Sequence, residues 1–212
     1  MDLEAVKDFV RDELVDEKSG HDYIHIERVL TNALMLVKET PGANEDVVSL
    51  AALLHDVIDE KVVDDVNAAI QQVRIKLREW DVSDDDLAEV LDIITHMSFS
   101  KNLETHYELT LNGQIVQDAD RLDAIGAIGI GRTFYYGGHV GNLMYNPNDA
   151  ARENLSHDEY RKNSTVINHF HEKLLKLEGM MNTDKAKQLA ARRTAFMRVF
   201  LDEFDAEWQG NR

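Results

Sequence analysis

The sequence predicts an all-α fold, read as a single domain over residues 1–212. Apolar residues recur at intervals of three and four, strand-type alternation is almost absent, and two prolines with no long Gly/Ser tract leave no linker. A chain of this length buries a sizeable core.

Leu3, Val6, Phe9, Val10 and Leu14 describe a short amphipathic helix that breaks near Lys18-Ser19-Gly20. A second helix is expected from about His21, with Ile24, Val29, Leu30, Ala33, Leu34 and Val37 apolar and Thr40-Pro41-Gly42 as its stop. On it His25 and Arg28 share a face. From Glu45 to Ile58 the pattern is apolar nearly all round, which describes a buried central helix. Val66, Ala69, Ile70, Val73 and Leu77 mark the next, ended near Trp80-Asp81. Ser83 and Asp86 then resemble a capping box opening a helix that carries His96 at its end. A polar stretch and a turn at Leu111-Asn112-Gly113 lead into a helix over Ile115 to Ile130, which holds Asp118, Asp120 and Asp123. Six of eleven glycines fall between Gly126 and Gly141, so a glycine-rich loop carrying Tyr135 and Tyr136 is expected there. Helices resume at about His157 to Glu178 and Lys185 to Trp208.

Composition narrows the function classes. With 23 Lys+Arg against 40 Asp+Glu the formal charge is −17, so nucleic-acid polymers and anionic membranes are repelled. A small anionic substrate stays compatible, because a metal ion and a few arginines reverse the field inside a cleft. No cysteine is present, which excludes disulfides and thiolate metal sites. No apolar run reaches the roughly 18 residues of a membrane span. The opening MDLEAVKDFVRDEL lacks the basic region and apolar core of a secretory signal, so a cytoplasmic location is expected.

The apolar run SLAALLHDVIDEKVVD ends abruptly in His55, Asp56, Asp59, Glu60 and Asp64. His55 and Asp56 lie about 100° apart around a helix and lean toward one point at its edge, which Asp59 overhangs. Imidazole and carboxylate together suit Mn, Fe, Co, Ni or Zn better than Ca. By contrast, His169 and His171 stand two apart and point to opposite sides of a helix, so they do not form a metal pair.

His25-x-x-Arg28-Val29, His55-Asp56 thirty residues later and Gln117-Asp118-Ala119-Asp120-Arg121-Leu122-Asp123 downstream together resemble the HD-domain superfamily of metal-dependent phosphohydrolases. HDYIHIERV, AALLHDVIDEK, VQDADRLDAIGAIGIGR and NHFHEKLLKL are most similar to small bacterial HD proteins, some of which resemble nucleoside triphosphate pyrophosphohydrolases. That resemblance implies an HD-domain helical bundle. It implies four metal ligands, His25, His55, Asp56 and Asp120, with Asp123 the rival for the last place. It implies one divalent ion, manganese first, with Mg, Co, Ni, Fe or Zn as alternatives. Asp59 matches the carboxylate kept near the attacking water, as general base, and Asp64 a second acid. Arg28, Lys61 and Arg121 stand beside the proposed ligands as expected phosphate contacts, and His96 is expected either to line the site or bind phosphate or to be a hydrogen-bonded helix-end histidine. A second metal site would need further histidines at defined spacings, and His21 and His96 do not build one.

The function expected is hydrolysis of nucleotide phosphoanhydride bonds, taking a (deoxy)nucleoside triphosphate to monophosphate and pyrophosphate. The alternatives are a nucleotide phosphomonoesterase and a non-catalytic nucleotide-sensing module. A small anionic nucleotide is the expected partner, and a homo-oligomer is compatible with the sequence but not predicted from it.

Overall fold

The structure, a computed structural model, describes residues 3–15, 22–60, 62–99, 102, 107–153, 162 and 164–211. These contain α1 (Leu3–Glu13), α2 (Tyr23–Lys38), α3 (Glu45–Leu54), α4 (Val66–Glu79), α5 (Asp84–His96), α6 (Leu111–Asp123), α7 (Gly126–His139), α8 (Val166–Glu172), a 3-10 segment (Leu174–Met180) and α9 (Asp184–Trp208). No strand occurs among the described residues, so the all-α expectation holds. The chain forms two compact units, Met1–Asp120 and Arg121–Arg212, a division that falls within α6.

In the first unit α3 is the hub, packed against α1, α2 and α5. Every residue from Val47 to Leu54 is buried, as its continuous apolar pattern requires. Asn44 caps it by accepting from the amides of Asp46 and Val47. The helix ends at Leu54, four residues before the boundary read from the sequence. The chain beyond it tightens, with Val57 N bonded to Leu54 O and Asp59 N to Asp56 O. Val57 and Ile58 stay buried, so apolar pattern alone gave no sign of the turn. Ser83 caps α5 as expected, Asp86 N donating to Ser83 Oγ, while the Asp86 carboxylate accepts from the Ser83 hydroxyl.

Leu111-Asn112-Gly113 is the first turn of α6 rather than a separate turn. Gly113 serves packing here: a Cβ would lie 3.1 Å from Ile93 Cγ1 of α5 and 3.1 Å from Leu109 Cβ. Asn112 locks the same junction, its Oδ1 accepting from Asn44 N at 2.8 Å and its Nδ2 donating to Glu89 at 3.0 Å.

The expected glycine-rich loop is a correction. Residues Gly126–His139 form α7, separated from α6 by a break at Ala124-Ile125. Gly126, at φ +79, makes that break, and the later glycines permit close contact. A Cβ at Gly129 would fall 2.3 Å from the Ala124 carbonyl oxygen, and one at Gly137 2.3 Å from Val166 Cγ2. Packing against α9 and α8 outweighs poor glycine propensity. Phe134 of α7 joins Phe170, Phe200 and Phe204, with ring centroids 5.9 to 6.4 Å from its own.

The helix expected from about His157 is shorter: α8 starts at Val166, and residues 157–161 and 163 lie outside the described residues. Buried Glu172 closes α8. Its carboxylate accepts from Arg152 N, Nε and Nη2 and from Ser164 Oγ, at 2.7 to 3.1 Å. Burial pushes this carboxyl up, but the Arg152 and Ser164 hydrogen bonds outweigh it and hold the group below its ordinary value.

Two measurements of thermal unfolding check these packing claims. Gly129→Ala should destabilise by about 1–3 kcal/mol through overpacking. Gly131→Ala, whose Cβ meets nothing within 4 Å, should instead stabilise by roughly 0.5–1 kcal/mol. A depressed Glu172 adds stability above its unfolded value of 4.5 that is lost as pH falls through the folded one. Glu172→Gln should therefore lower Tm at neutral pH and flatten the loss of Tm on acidification.

Candidate metal centre

Three stretches of the first unit bring imidazole and carboxylate together. Asp22 caps α2, its carboxylate accepting from His25 N at 2.8 Å, which fixes His25 in the first turn with 1% of its surface exposed. His55 is the C-cap of α3, and Asp56 follows in the tightened turn; both are buried. Asp120 lies in the last turn of α6.

His25 Nε2 is 3.5 Å from Asp56 Oδ2 and 3.5 Å from Asp120 Oδ1. His55 Nε2 is 3.3 Å from Asp56 Oδ1 and 3.9 Å from Asp120 Oδ1. The two imidazoles meet edge to face, centroids 5.4 Å apart. One ligand atom from each of His25, His55 and Asp56 lies within 4.8 Å of the others.

These separations are long for hydrogen bonds but right for the edges of a coordination shell. Donors about 2.1 Å from one ion lie about 3.0 Å apart at right angles and about 4.2 Å apart when opposite. The sharper observation concerns His55. Its Nδ1 stands 2.9 Å from the Ala52 carbonyl, which only accepts, so Nδ1 carries the proton and Nε2 presents a lone pair. That Nε2 is buried and has no hydrogen-bond partner among the described residues. An orphaned buried acceptor costs about 1–3 kcal/mol, and a cation in the cluster removes the cost. Two imidazoles with two carboxylates suit a divalent transition ion. The residues present therefore fit a metal.

The Asp120 carboxyl sits well below the ordinary carboxylate range. Burial pushes it up, but the side chain keeps 38% of its surface, and the hydrogen bond from His25 with the positive charge that the His55 and His25 imidazoles carry in their protonated form outweighs burial and the opposing Asp56. Its rival is placed elsewhere. Buried Asp123 accepts from Arg132 Nη1 at 2.7 Å, within the second unit. Of the two aspartates one turn apart, only Asp120 is brought to the histidines.

The remaining predicted residues divide. Asp59 is half-buried one turn past Asp56, its carbonyl fixed by the amides of Val62 and Val63. Asp64 is exposed. Arg28 is half-buried on α2, one turn after His25. Lys61 and His21 lie outside the described residues. Arg121 is buried and donates through Nη1 to the Met180 carbonyl in the second unit. His96 is half-buried, its Nδ1 2.9 Å from Asp92 Oδ1. Two contributors escaped the sequence reading. The Ala52 carbonyl carries no sequence signal, whereas the Asp22 cap was readable as an aspartate three residues before His25.

A helical unit with two buried histidines and an adjacent aspartate poised around one point has the arrangement of a metal-binding site. An HD domain model matches residues 22–125. A Bacillus subtilis strain 168 protein, YpgQ, is 38% identical over 208 residues, covering 98% of this chain and 94% of its own. In crystal form with ADP, YpgQ superposes with a TM-score of 0.77 at 33% identity over 96% of both chains. A Lactobacillus plantarum structure gives a TM-score of 0.88 at 46% identity, covering 98% of this chain and 97% of that one. A Bacillus thuringiensis HD-superfamily hydrolase gives 0.76 at 40%, covering 97% and 96%. The chain belongs to the HD-domain family, its fold is that of an HD-superfamily hydrolase, and its buried His25, His55 and Asp56 form a group that could hold a metal ion. No helix among the described residues is long and apolar enough to cross a membrane.

Metal retention after dialysis, measured by elemental analysis, separates the two aspartates. His55→Ala, Asp56→Ala and Asp120→Asn should each lose the ion, and Asp123→Asn should keep it while lowering Tm. Saturating the wild-type protein with Mn2+ at about 100 times Kd should stabilise it by about 2.7 kcal/mol.

Proposed function

We propose that this protein hydrolyses (deoxy)nucleoside triphosphates to the monophosphate and pyrophosphate, using one divalent ion, manganese by preference, held by His25, His55, Asp56 and Asp120. The observation that carries this reading is the buried, lone-pair-bearing His55 Nε2 within 4 Å of two carboxylates, one of them, Asp120, still 38% open to solvent. The ADP bound in the YpgQ crystal supports a nucleotide ligand.

When bound, the ion lowers the pKa of water, polarises a phosphoryl oxygen and aligns the reactants. The protein's own groups do the rest. Asp59, one turn beyond Asp56, takes the proton of the attacking water as general base. The water oxygen bonds to the α-phosphorus, the bond to the bridging oxygen breaks, and its electron pair leaves with pyrophosphate. Asp64, exposed in the following turn, is the second acid of this reading. Arg28 meets phosphate oxygens with its planar fork, one turn from His25, and Lys61 and His96 supply further contacts. Arg121, whose guanidinium serves the Met180 carbonyl, is left out. All four ligands and Asp59 belong to Met1–Asp120, so the chemistry is assigned to that unit.

The test is a panel of nucleotides incubated with the Mn2+-loaded protein, with orthophosphate and pyrophosphate detected separately. Pyrophosphate with monophosphate is the expected outcome; orthophosphate from monophosphates would indicate the phosphomonoesterase, and tight binding without turnover the sensor. Asp59→Asn should retain metal and lose about 10²- to 10⁴-fold in kcat.

A further inference from the structure

The C-terminal end of α5 is built with more care than a solvent-facing helix end requires. His96 Nδ1 lies 2.9 Å from Asp92 Oδ1 and 3.0 Å from the Asp92 carbonyl. Both partners accept, so Nδ1 carries the proton and Nε2 is the ring's remaining polar atom. The ring of Tyr107 stacks on the imidazole, centroids 4.3 Å apart and planes 30° apart, and Tyr107 keeps 38% of its surface. Asn102 holds both halves: its Nδ2 donates to the His96 carbonyl at 2.7 Å and to the Ser98 carbonyl at 2.8 Å, and its Oδ1 accepts from Tyr107 N at 3.2 Å.

Where this imidazole stands follows from the pairing of α5 with α6. Glu89 bonds Asn112, Ile93 abuts Gly113, and the Met97 carbonyl accepts from Gln117 Nε2 at 2.9 Å. The numbers rise together along both helices, so their C-terminal ends lie at the same end of the pair. Gln117 precedes Asp120 by three residues, one turn on the same face. His96 therefore ends α5 at the end of α6 that carries Asp120. An i,i+4 Asp-His pair on a helix surface is common by itself. A stacked tyrosine, an asparagine clamp and a buried glutamine tie toward Asp120 are not needed to make one.

We propose that Asp92 and Tyr107 are positioning residues that fix the His96 imidazole so that Nε2 donates to a phosphate oxygen of the nucleotide. The assignment rests on the nucleotide reading above, and supplies what that reading needs. Two carboxylates and Asp59 crowd the cluster with negative charge, and an incoming phosphate chain requires donors on the other side. Asp92 fixes Nδ1 as the protonated nitrogen, and Nε2 takes up a second proton from solvent as the phosphate binds, so that it donates rather than accepts. Tyr107 restricts the ring's rotation, so less freedom is lost when the phosphate binds.

The test measures binding apart from turnover. The Mn2+-loaded protein is titrated calorimetrically with ADP and with inorganic pyrophosphate. His96→Ala should weaken both by about 10- to 100-fold, as loss of a charge-assisted hydrogen bond does, with metal content unchanged. Asp92→Asn and Tyr107→Ala should weaken them by about three- to tenfold, while Tyr107→Phe, which keeps the ring, should match wild type. In steady state the His96→Ala loss should appear mainly in KM. On the wild-type protein, the 15N resonance of His96 Nε2 should move on adding pyrophosphate, a readout independent of any variant's folding. Affinity within twofold of wild type in His96→Ala, or an unmoved resonance at saturation, overturns the proposal. A wild-type protein that binds both ligands but hydrolyses no triphosphate sinks the hydrolase reading while the His96 contact stands; one that binds neither overturns both.

Discussion

One hydrogen bond sets the character of the site: His55 Nδ1 to the Ala52 carbonyl, 2.9 Å. A histidine at the end of a buried helix has two nitrogens to satisfy and little water to do it. Spending the proton on the carbonyl three residues back leaves Nε2 as a pure acceptor in a place where no donor among the described residues reaches it. A protein that kept this arrangement for stability alone would carry an uncompensated penalty. Supplying a cation to that lone pair turns the penalty into affinity. The early end of α3 belongs to the same logic. Tightening the chain after Leu54 lets His55 and Asp56 converge, with Nε2 and Oδ1 3.3 Å apart, instead of diverging by the rotation a continuing helix imposes.

The last turn of α6 shows a second constraint, division of labour over three residues. Asp120 and Asp123 share a face and are chemically identical, so only their surroundings separate them. The first meets two imidazoles and has its carboxyl pulled below the ordinary range. The second meets Arg132, and Arg193 donates to the adjacent Leu122 carbonyl. One carboxylate is thus left for exchangeable chemistry and its neighbour is neutralised by a fixed ion pair. A buried carboxylate so paired is costly to disturb, which makes Asp123 a structural anchor whose loss would be felt in folding first.

How much was legible follows from which signals are local. The convergence of His25, His55-Asp56 and Asp120 was, because they form a pattern in residue types that the resemblance supplied, and the helices holding them announce themselves through apolar spacing. Ser83 and Asp86 gave the start of α5 by the same local chemistry. What failed was propensity against packing. The glycines of α7 looked like breakers because propensity is a property of the residue, whereas the reason for Gly129 is the close approach of the Ala124 carbonyl at the break before α7, and that for Gly137 an atom on another helix, Val166 Cγ2. Leu111-Asn112-Gly113 failed likewise, since Gly113 answers to Ile93 on another helix. The choice between Asp120 and Asp123 was undecidable in sequence because Arg132 lies nine residues on, beyond a helix break that periodicity did not reveal. The Ala52 carbonyl could not have been found at all, since every residue has one.

The charge of the molecule gains a different meaning once the cluster is drawn. A formal −17 opposes an anionic ligand at long range, yet exposed charges are largely screened beyond about 8 Å at physiological ionic strength. Attraction must therefore come from groups within that distance of the reacting phosphorus. Inside the cluster, Asp56 and Asp120 carry two negative charges, which a divalent ion cancels and does not exceed. A neutral centre polarises one phosphoryl oxygen but does not hold the rest of a polyphosphate. On the proposed nucleotide reading, the remaining charge has to be met by side chains, and among the described residues Arg28, one turn from His25, and His96, at the end of α5 beside Asp120's end of α6, are the ones assigned to it. Specificity for a phosphate chain in so acidic a protein would then rest on a small number of well-oriented donors, and orientation of His96 through Asp92, Tyr107 and Asn102 is one way to supply it.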